Sequence, residues 1–265
     1  SCEEHPQAHQ QQTSTVRPDF GQKRYHSLDF ALKQQFGQKL YKISLDGGMT
    51  CPNRDGTLGT GGCIFCSAGG SGEFAPAPGL SVTEQIEAGK QVFCEKNLKD
   101  AADADTRGQQ FIAYFQSFTN TYAPTARLRQ LFTEAIDHPD IAALSIGTRP
   151  DCMPDSLLDY LEEMNRHTFL LVEYGIESTD DKTLCRINRG HTFHAAADAV
   201  ERTASRGILT GGHVILGLPG ETHENIVAQA GVLSRLPLTT LKMHQLQLIR
   251  GTRMALEYRQ HPEDF

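Results

Sequence analysis

No stretch of this 265-residue chain approaches the ~20 consecutive apolar residues needed to cross a bilayer, so no membrane-spanning helix is expected. The polar, Gln- and His-rich start, Ser1 to Thr15, lacks the apolar core of a secretory signal, and residues 1–20 read as a disordered tail. Positive charge is also in short supply. With 25 Lys and Arg against 32 Asp and Glu the formal net charge is −7, which argues against a whole-surface grip on nucleic acid and leaves only a local basic patch. Cysteines number seven, an odd count in which only Cys63 and Cys66 sit close together. That is no secreted disulfide scaffold; reduced cytoplasmic thiols acting as metal ligands fit better. Internal repeats and linkers are missing too, so residues 21–265 read as one core domain.

What the chain does have is alternation. Strand-length apolar runs at Lys39–Leu45, Gln109–Gln116, Ile141–Gly147, Thr168–Tyr174, Ile208–Gly217 and Thr240–Ile249 are separated by segments of helical period. Helices are expected at Ser81–Asn97, Thr125–Asp137, Pro154–His167, Thr179–Ile187, Thr192–Arg206 and Glu221–Leu236. Ser81 and Glu84 form a capping-box pair on the first, with Ile86, Val92 and Phe93 toward the core. Gly207 takes the C′ position of another, and Leu98–Gly108 reads as a polar surface loop. Strands separated by helices give parallel βα units with right-handed connections, in a doubly wound sheet or a complete or partial barrel. In each of these, ligands bind at the carboxyl ends of the strands.

The densest chemistry follows the first strand, in the run from Cys51 to Cys66, CPNRDGTLGTGGCIFC. Its C-x2-C pair brings two thiolates to one centre, and the glycines let the backbone wrap closely around it. Cys51 supplies a third ligand from the far side of the loop. No fourth cysteine is near. Structural zinc sites are closed by four ligands, whereas a [4Fe–4S] cluster on three thiolates keeps one iron open. Two readings stand at this point: such a cluster, or a zinc knot completed by Cys94 or a histidine. The isolated Cys2, Cys94, Cys152 and Cys185 read as small buried or incidental residues.

Other segments accompany the loop: YFQSFTNTYAP (Tyr114–Pro124), SIGTRPDC (Ser145–Cys152), VEYGIES (Val172–Ser178), INRGHT (Ile187–Thr192) and ILGLPGET (Ile215–Thr222). Together with the C-x11-C-x2-C spacing, and over about Arg24–Thr252, they resemble the radical S-adenosylmethionine (SAM) superfamily and within it the YhcC-like subgroup. The radical SAM domain of the Elongator catalytic subunit and oxygen-independent coproporphyrinogen oxidase are more distantly similar. The commoner spacing of the superfamily is C-x3-C-x2-C. The resemblance displaces the zinc alternative and implies an α/β fold, a parallel (β/α)6 partial TIM barrel. It also implies a [4Fe–4S] cluster on Cys51, Cys63 and Cys66 that reductively cleaves SAM to methionine and a 5′-deoxyadenosyl radical, which abstracts hydrogen from an unidentified substrate. The alternative is a non-catalytic Fe–S redox or partner-binding module, which Arg189 and the Gly-Leu-Pro-Gly-Glu turn weigh against. The expected partners are SAM and an electron donor such as flavodoxin or ferredoxin. The Elongator likeness raises RNA as a substrate; the acidic balance and lack of an Arg/Lys-rich arm weigh against it. Relatives of this kind continue past the position of Phe265, so a C-terminal element is expected to be missing here.

The same resemblance implies roles for individual residues. Arg189, twelve residues after Glu177, stands at the offset where the porphyrinogen oxidase carries an arginine for the SAM carboxylate, a good partner for a guanidinium fork. On its own residues it would be a surface loop arginine. Glu177 either meets the SAM amino group or ribose or is an ordinary N-terminal helix acid. Gly217, Leu218 and Pro219 would bring bare backbone to the adenine edge. His213 stands where relatives carry an aspartate for the ribose. Gln116 and Ser117, with Thr119, end the second strand where many members carry Gly-Gly-Glu for the SAM amino group, and are the substitutes for it. Arg149, Asp151, His191, His244 and Gln247 are candidate pocket residues. Tyr114, Phe115 and Phe118 are expected to pack rather than stack on bases.

Overall fold

In the computed structural model the described residues are 20, 23–70, 79–100 and 108–265, with backbone alone for 96–100. The chain divides into two compact units between Lys39 and Leu40. In the first, α1 (Leu28–Phe36) starts where Ser27 Oγ accepts the amide of Phe30 and ends at Gly37, φ 69°. Glycine enters that left-handed region without a Cβ penalty. The expected tail lies outside the described residues except for Phe20.

The second unit runs β1 (Tyr41–Leu45), α2 (Val82–Asp100), β2 (Phe111–Phe115), α3 (Thr125–Ile136), β3 (Ile141–Thr148), α4 (Asp155–Asn165) and β4 (Phe169–Glu177). It continues with α5 (Asp181–Arg186), α6 (Phe193–Ala204), β5 (Leu209–Leu216), α7 (His223–Leu233), β6 (Thr240–Gln245) and α8 (Arg253–Gln260). The six strands lie in sequential order and all pair parallel. They form a curled half-barrel, the partial TIM barrel expected from the alternation. Its core lies between the sheet and the outer helices. Leu128, Leu131 and Phe132 of α3 and Leu157, Leu158 and Leu161 of α4 are buried, and the rings of Phe132 and Phe115 meet at 5.1 Å. Each such side chain contributes about 1.5–3 kcal/mol by burial. With the outer face carrying the stability, the inner face is free to hold polar groups. No helix among the described residues is long and apolar enough to cross a membrane.

The Ser81–Glu84 capping box is present: Ser81 N donates to Glu84 Oε2 (2.7 Å) and Glu84 N to Ser81 Oγ (3.2 Å). Ile86 is buried and Phe93 packs on Tyr41 at 4.5 Å, but Val92 is exposed and does not face the core. Successive helical residues point about 100° apart, so Val92 and Phe93 cannot share one narrow face. α2 continues to Asp100, which shortens the expected Leu98–Gly108 loop; residues 101–107 lie outside the described residues. β4 extends past Tyr174 to Glu177, and β6 stops at Gln245 rather than Ile249. Neither α1 nor α8 was expected from the sequence.

Candidate cofactor site at the mouth of the half-barrel

β1 ends at Leu45 and passes the chain to the cysteine loop at the carboxyl edge of the sheet. The loop is bonded to itself: the Cys51 carbonyl accepts the amides of Arg54 (2.8 Å) and Asp55 (3.1 Å), and Asn53 O accepts that of Gly62 (2.7 Å). It is also pinned to the segment after α5. Asn53 Nδ2 donates to Asn188 O (2.6 Å) and Asn188 Nδ2 to Gly62 O (2.7 Å). Asn188 adopts φ 53°, a left-handed conformation that asparagine tolerates. α8 clamps the loop from another side. Met254 N donates to Ile64 O (2.9 Å), and both residues belong to an apolar cluster with Leu184, Ile187 and Leu218. Arg54 donates to the carbonyls of Cys66 and Ser67 and lies 5.5 Å from the Phe118 ring. That ring fills the space left by Gly70, where a Cβ would lie 2.4 Å from it.

Cys51, Cys63 and Cys66 all line one cavity of about 460 Å³, a size within the roughly 300–1,000 Å³ of small-molecule sites. Cys63 is buried and the other two partly so. Burial pushes the Cys66 thiol above its ordinary value, and Arg54 opposes that shift. Among the described residues the only three ligand atoms within 4.8 Å of one another belong to Glu87, His138 and Asp140, with the Lys90 ammonium bonded to both acids. The three thiols do not all lie within 4.8 Å of one another.

Arg189 lies against Cys63. Its Nη1 is 3.5 Å from Sγ, its Nη2 donates to Gly175 O (2.7 Å), and Glu177 is 3.5 Å away. Burial works against the charge, but Cys63 and Glu177 outweigh it and the group stays cationic. Its Nε has no partner among the described residues. Gly175 leaves them room, since a Cβ there would come within 2.5 Å of both the guanidinium and the Glu177 carboxylate and would make them shift. The β4 register breaks between Gly175 and Glu177, and Glu177 sits at φ 66°. Such a bulge re-aims a side chain at a sheet rim. After β2, Ser117 Oγ, Thr119 Oγ1 and Asn120 Oδ1 are likewise buried without partners among the described residues; Thr119 lines the cavity and Ser117 does not. Orphaned polar atoms of this kind call for a ligand or ordered water.

Of the other expected residues, Gln116, His213, Arg149, His244 and Gln247 line the cavity. Gln116 Oε1 accepts from Ser44 Oγ (3.1 Å). Arg149 is tied to Asp151 by two bonds (2.9 and 2.8 Å) and to Arg189 O (2.9 Å). Asp151 and His191 stand behind the wall rather than on it, His191 Nε2 lying 3.3 Å from Gly175 O. Gly217, Leu218 and Pro219 also fall outside the lining; Leu218 is buried in the cluster that holds the loop.

Sequence reasoning missed the polar centre of the barrel. Buried Glu173 accepts from Lys42 Nζ (2.6 Å), His213 Nε2 (2.7 Å) and Ser145 Oγ (3.2 Å). Burial would raise its pKa, but His213 and Lys42 hold it well below the usual carboxylate range. Gly211 makes room: a Cβ there would lie 3.1 Å from Glu173 Cγ. Burial and Glu173 push the Tyr114 phenol up. His244, 5.3 Å from the His213 ring, is pushed down to about 4 by burial and by His213 and Lys242. The available signal was a charge inside an apolar run, as in YKISL and FLLVEYGIE.

A sequential six-stranded parallel half-barrel with a three-cysteine loop on its carboxyl rim defines the class, an α/β partial TIM barrel. The model of the radical SAM superfamily matches residues 55–229. The uncharacterized protein YtqA of Bacillus subtilis (strain 168) is 41% identical over 244 residues, 92% of this chain and 73% of that protein. Protein YhcC of Escherichia coli (strain K12) is 36% identical over 225 residues, 84% of this chain and 69% of that one. The E. coli coproporphyrinogen III oxidase (HemN), a radical SAM enzyme, matches in fold alone, with TM-score 0.52 at 15% identity over 79% of this chain and 44% of that one. The chain belongs to the radical SAM superfamily, alongside YhcC- and YtqA-like homologues.

Proposed function

We propose that Cys51, Cys63 and Cys66 hold a [4Fe–4S] cluster, that SAM binds beside it, and that the pair acts by hydrogen abstraction on a substrate in the half-barrel. One observation carries this reading: the three thiols of the loop open on the same cavity as the Arg189 guanidinium, with no fourth cysteine on its wall. Three thiolates leave one iron free for an exogenous ligand. When bound, the cluster and SAM supply a one-electron cleavage of the C5′–S bond and the 5′-deoxyadenosyl radical that follows from it.

The chain supplies position and charge. Arg54 ties the loop ends together and sets a cation beside Cys66. Arg189 flanks Cys63 and keeps its Nε for a carboxylate, a strong charge-assisted partner. Glu177, turned by the bulge, accepts an ammonium or a ribose hydroxyl. Gln116 and Thr119, which line the cavity, offer polar contacts to the amino-acid end of SAM, and Ser117, buried off the cavity wall between them in sequence, has a hydroxyl with no partner among the described residues. His213 spends Nε2 on Glu173 and keeps Nδ1 for the ribose. The turn at Gly217, Leu218 and Pro219 supports the adenine side from behind Ile215 and Leu246, which do line the cavity. A flavodoxin or ferredoxin in the cytoplasm is the matching electron source.

The test is anaerobic reconstitution with iron and sulfide, reduction with dithionite, addition of SAM and assay of 5′-deoxyadenosine, with Cys63→Ala as control. Product from the native chain and none from the variant is the expected outcome. Bound zinc without a stable cluster would overturn the reading.

A further inference from the structure

The barrel's polar centre holds more cation than anion. The protein as a whole is acidic, at −7, yet Arg54, Arg149, Arg189 and Lys242 line the cavity against Glu173 and Glu177. Most of this charge is already answered. Arg149 is matched by Asp151, Arg189 by Glu177, Arg54 by backbone carbonyls, and Glu173 by Lys42 and His213. Lys242 is different. Exposed to solvent on β6, it lines the cavity with its ammonium 5.8 Å from the Tyr114 ring, which Lys42 approaches at 4.0 Å from β1. It has no hydrogen-bond or ion-pair partner among the described residues. His244, two residues along the same strand and so on the same face, also lines the cavity with no hydrogen bond among the described residues.

We infer that Lys242 and His244 form the anion-binding end of the substrate site, and that the substrate carries a carboxylate or phosphate. An ammonium and an imidazole donor on one strand face suit an oxyanion. The one carboxylate at the centre, Glu173, is saturated by three donors and does not compete. Lys42, Glu173 and Lys242 lie on the strands themselves, whereas the cysteines occupy the loop beyond the carboxyl end of β1, so the anion is expected on the strand side of the cysteine loop. That this cavity takes a substrate rests on the function proposed above; the charge of that substrate is the new element.

The full chain is titrated with inorganic phosphate, and separately with acetate, while histidine C2–H resonances are followed by NMR; His244 is assigned by its loss in His244→Asn. A saturable shift of the His244 signal is expected, with a midpoint raised by about tenfold or more in Lys242→Met, the scale of one lost charged hydrogen bond. Lys182→Met, on the exposed first turn of α5, should leave the midpoint where it is. Saturation by phosphate but not acetate assigns a phosphorylated substrate, and the reverse assigns a carboxylate. No saturable shift with either anion, or the same midpoint in Lys242→Met, overturns the proposal. The readout needs neither SAM nor turnover, so a saturable shift stands even if the 5′-deoxyadenosine assay fails, and its absence leaves that assay's result intact.

Discussion

The two ends of the cavity are built on opposite principles. Around the cysteine loop most polar groups are bonded in advance: Asn53 to Asn188, Arg54 to three carbonyls, Arg149 to Asp151, and Arg189 to Gly175 and Cys63. At β6, Lys242 and His244 face the same cavity without such bonds among the described residues. A constellation that must hold a fixed cofactor is locked by its surroundings, since small errors of placement are costly there. A site for an exchanging ligand keeps donors open, to be satisfied by the ligand itself. Among the described residues the few groups without partners at the locked end are Arg189 Nε and the buried polar atoms after β2, and under the proposed function these are where SAM would bond.

The largest effect on this contrast should come from Glu173, the residue that joins the two ends. Glu173→Gln leaves Lys42 and His213 without their buried counter-charge and should lower unfolding free energy by about 3 kcal/mol in urea at pH 7. Its folded pKa is depressed, so the stabilisation is present above the ordinary value of 4.5 and fades as pH falls below it. Native and variant curves should therefore converge in acid; a constant gap would sink the argument.

Gly175→Ala attacks the locked end alone. The added Cβ meets Arg189 and Glu177 at 2.5 Å and must displace them. The Kd for SAM, read by calorimetry on the reconstituted protein, should rise about tenfold. Unchanged affinity would show that neither side chain receives the ligand.

A smaller effect separates the open end. His244 has a folded pKa of about 4, below its ordinary 6.5, so the unfolded chain takes up its proton first and stability drops as pH falls from 6.5 toward 4. His191, also pushed down to about 4, contributes in the same direction from behind the locked wall. His244→Asn should flatten part of this slope and leave the His191 share. An identical slope in the variant would place His244 in water rather than in the barrel.

Much of the barrel was legible because its outer face obeys simple rules. The runs at Ile141–Thr148 and Leu209–Leu216 alternate with helices whose apolar residues recur at helical spacing, as Leu157, Leu158 and Leu161 do. The cysteine loop stood out as three thiols among many glycines, yet its residues alone left a cluster and a zinc knot open, and only the family resemblance chose between them. The inner face was not. Lys42, Glu173 and Lys242 lie on separate strands, far apart in sequence, and only the curl of the sheet brings them to one ring, that of Tyr114. The bulge that aims Glu177 is a break of register, and single-strand periodicity carries no trace of it. α8 escaped notice because its first-turn Met254 is its one buried residue, too little for an amphipathic pattern.

The central claim is a cluster on Cys51, Cys63 and Cys66 with one iron open to SAM. Electron paramagnetic resonance of the dithionite-reduced, reconstituted protein tests it most directly, with spectra taken before and after SAM is added. The account predicts a [4Fe–4S]+ signal whose g-values change on adding SAM and which is absent from Cys63→Ala. A cluster signal that ignores SAM, or one that survives in Cys63→Ala, would contradict it.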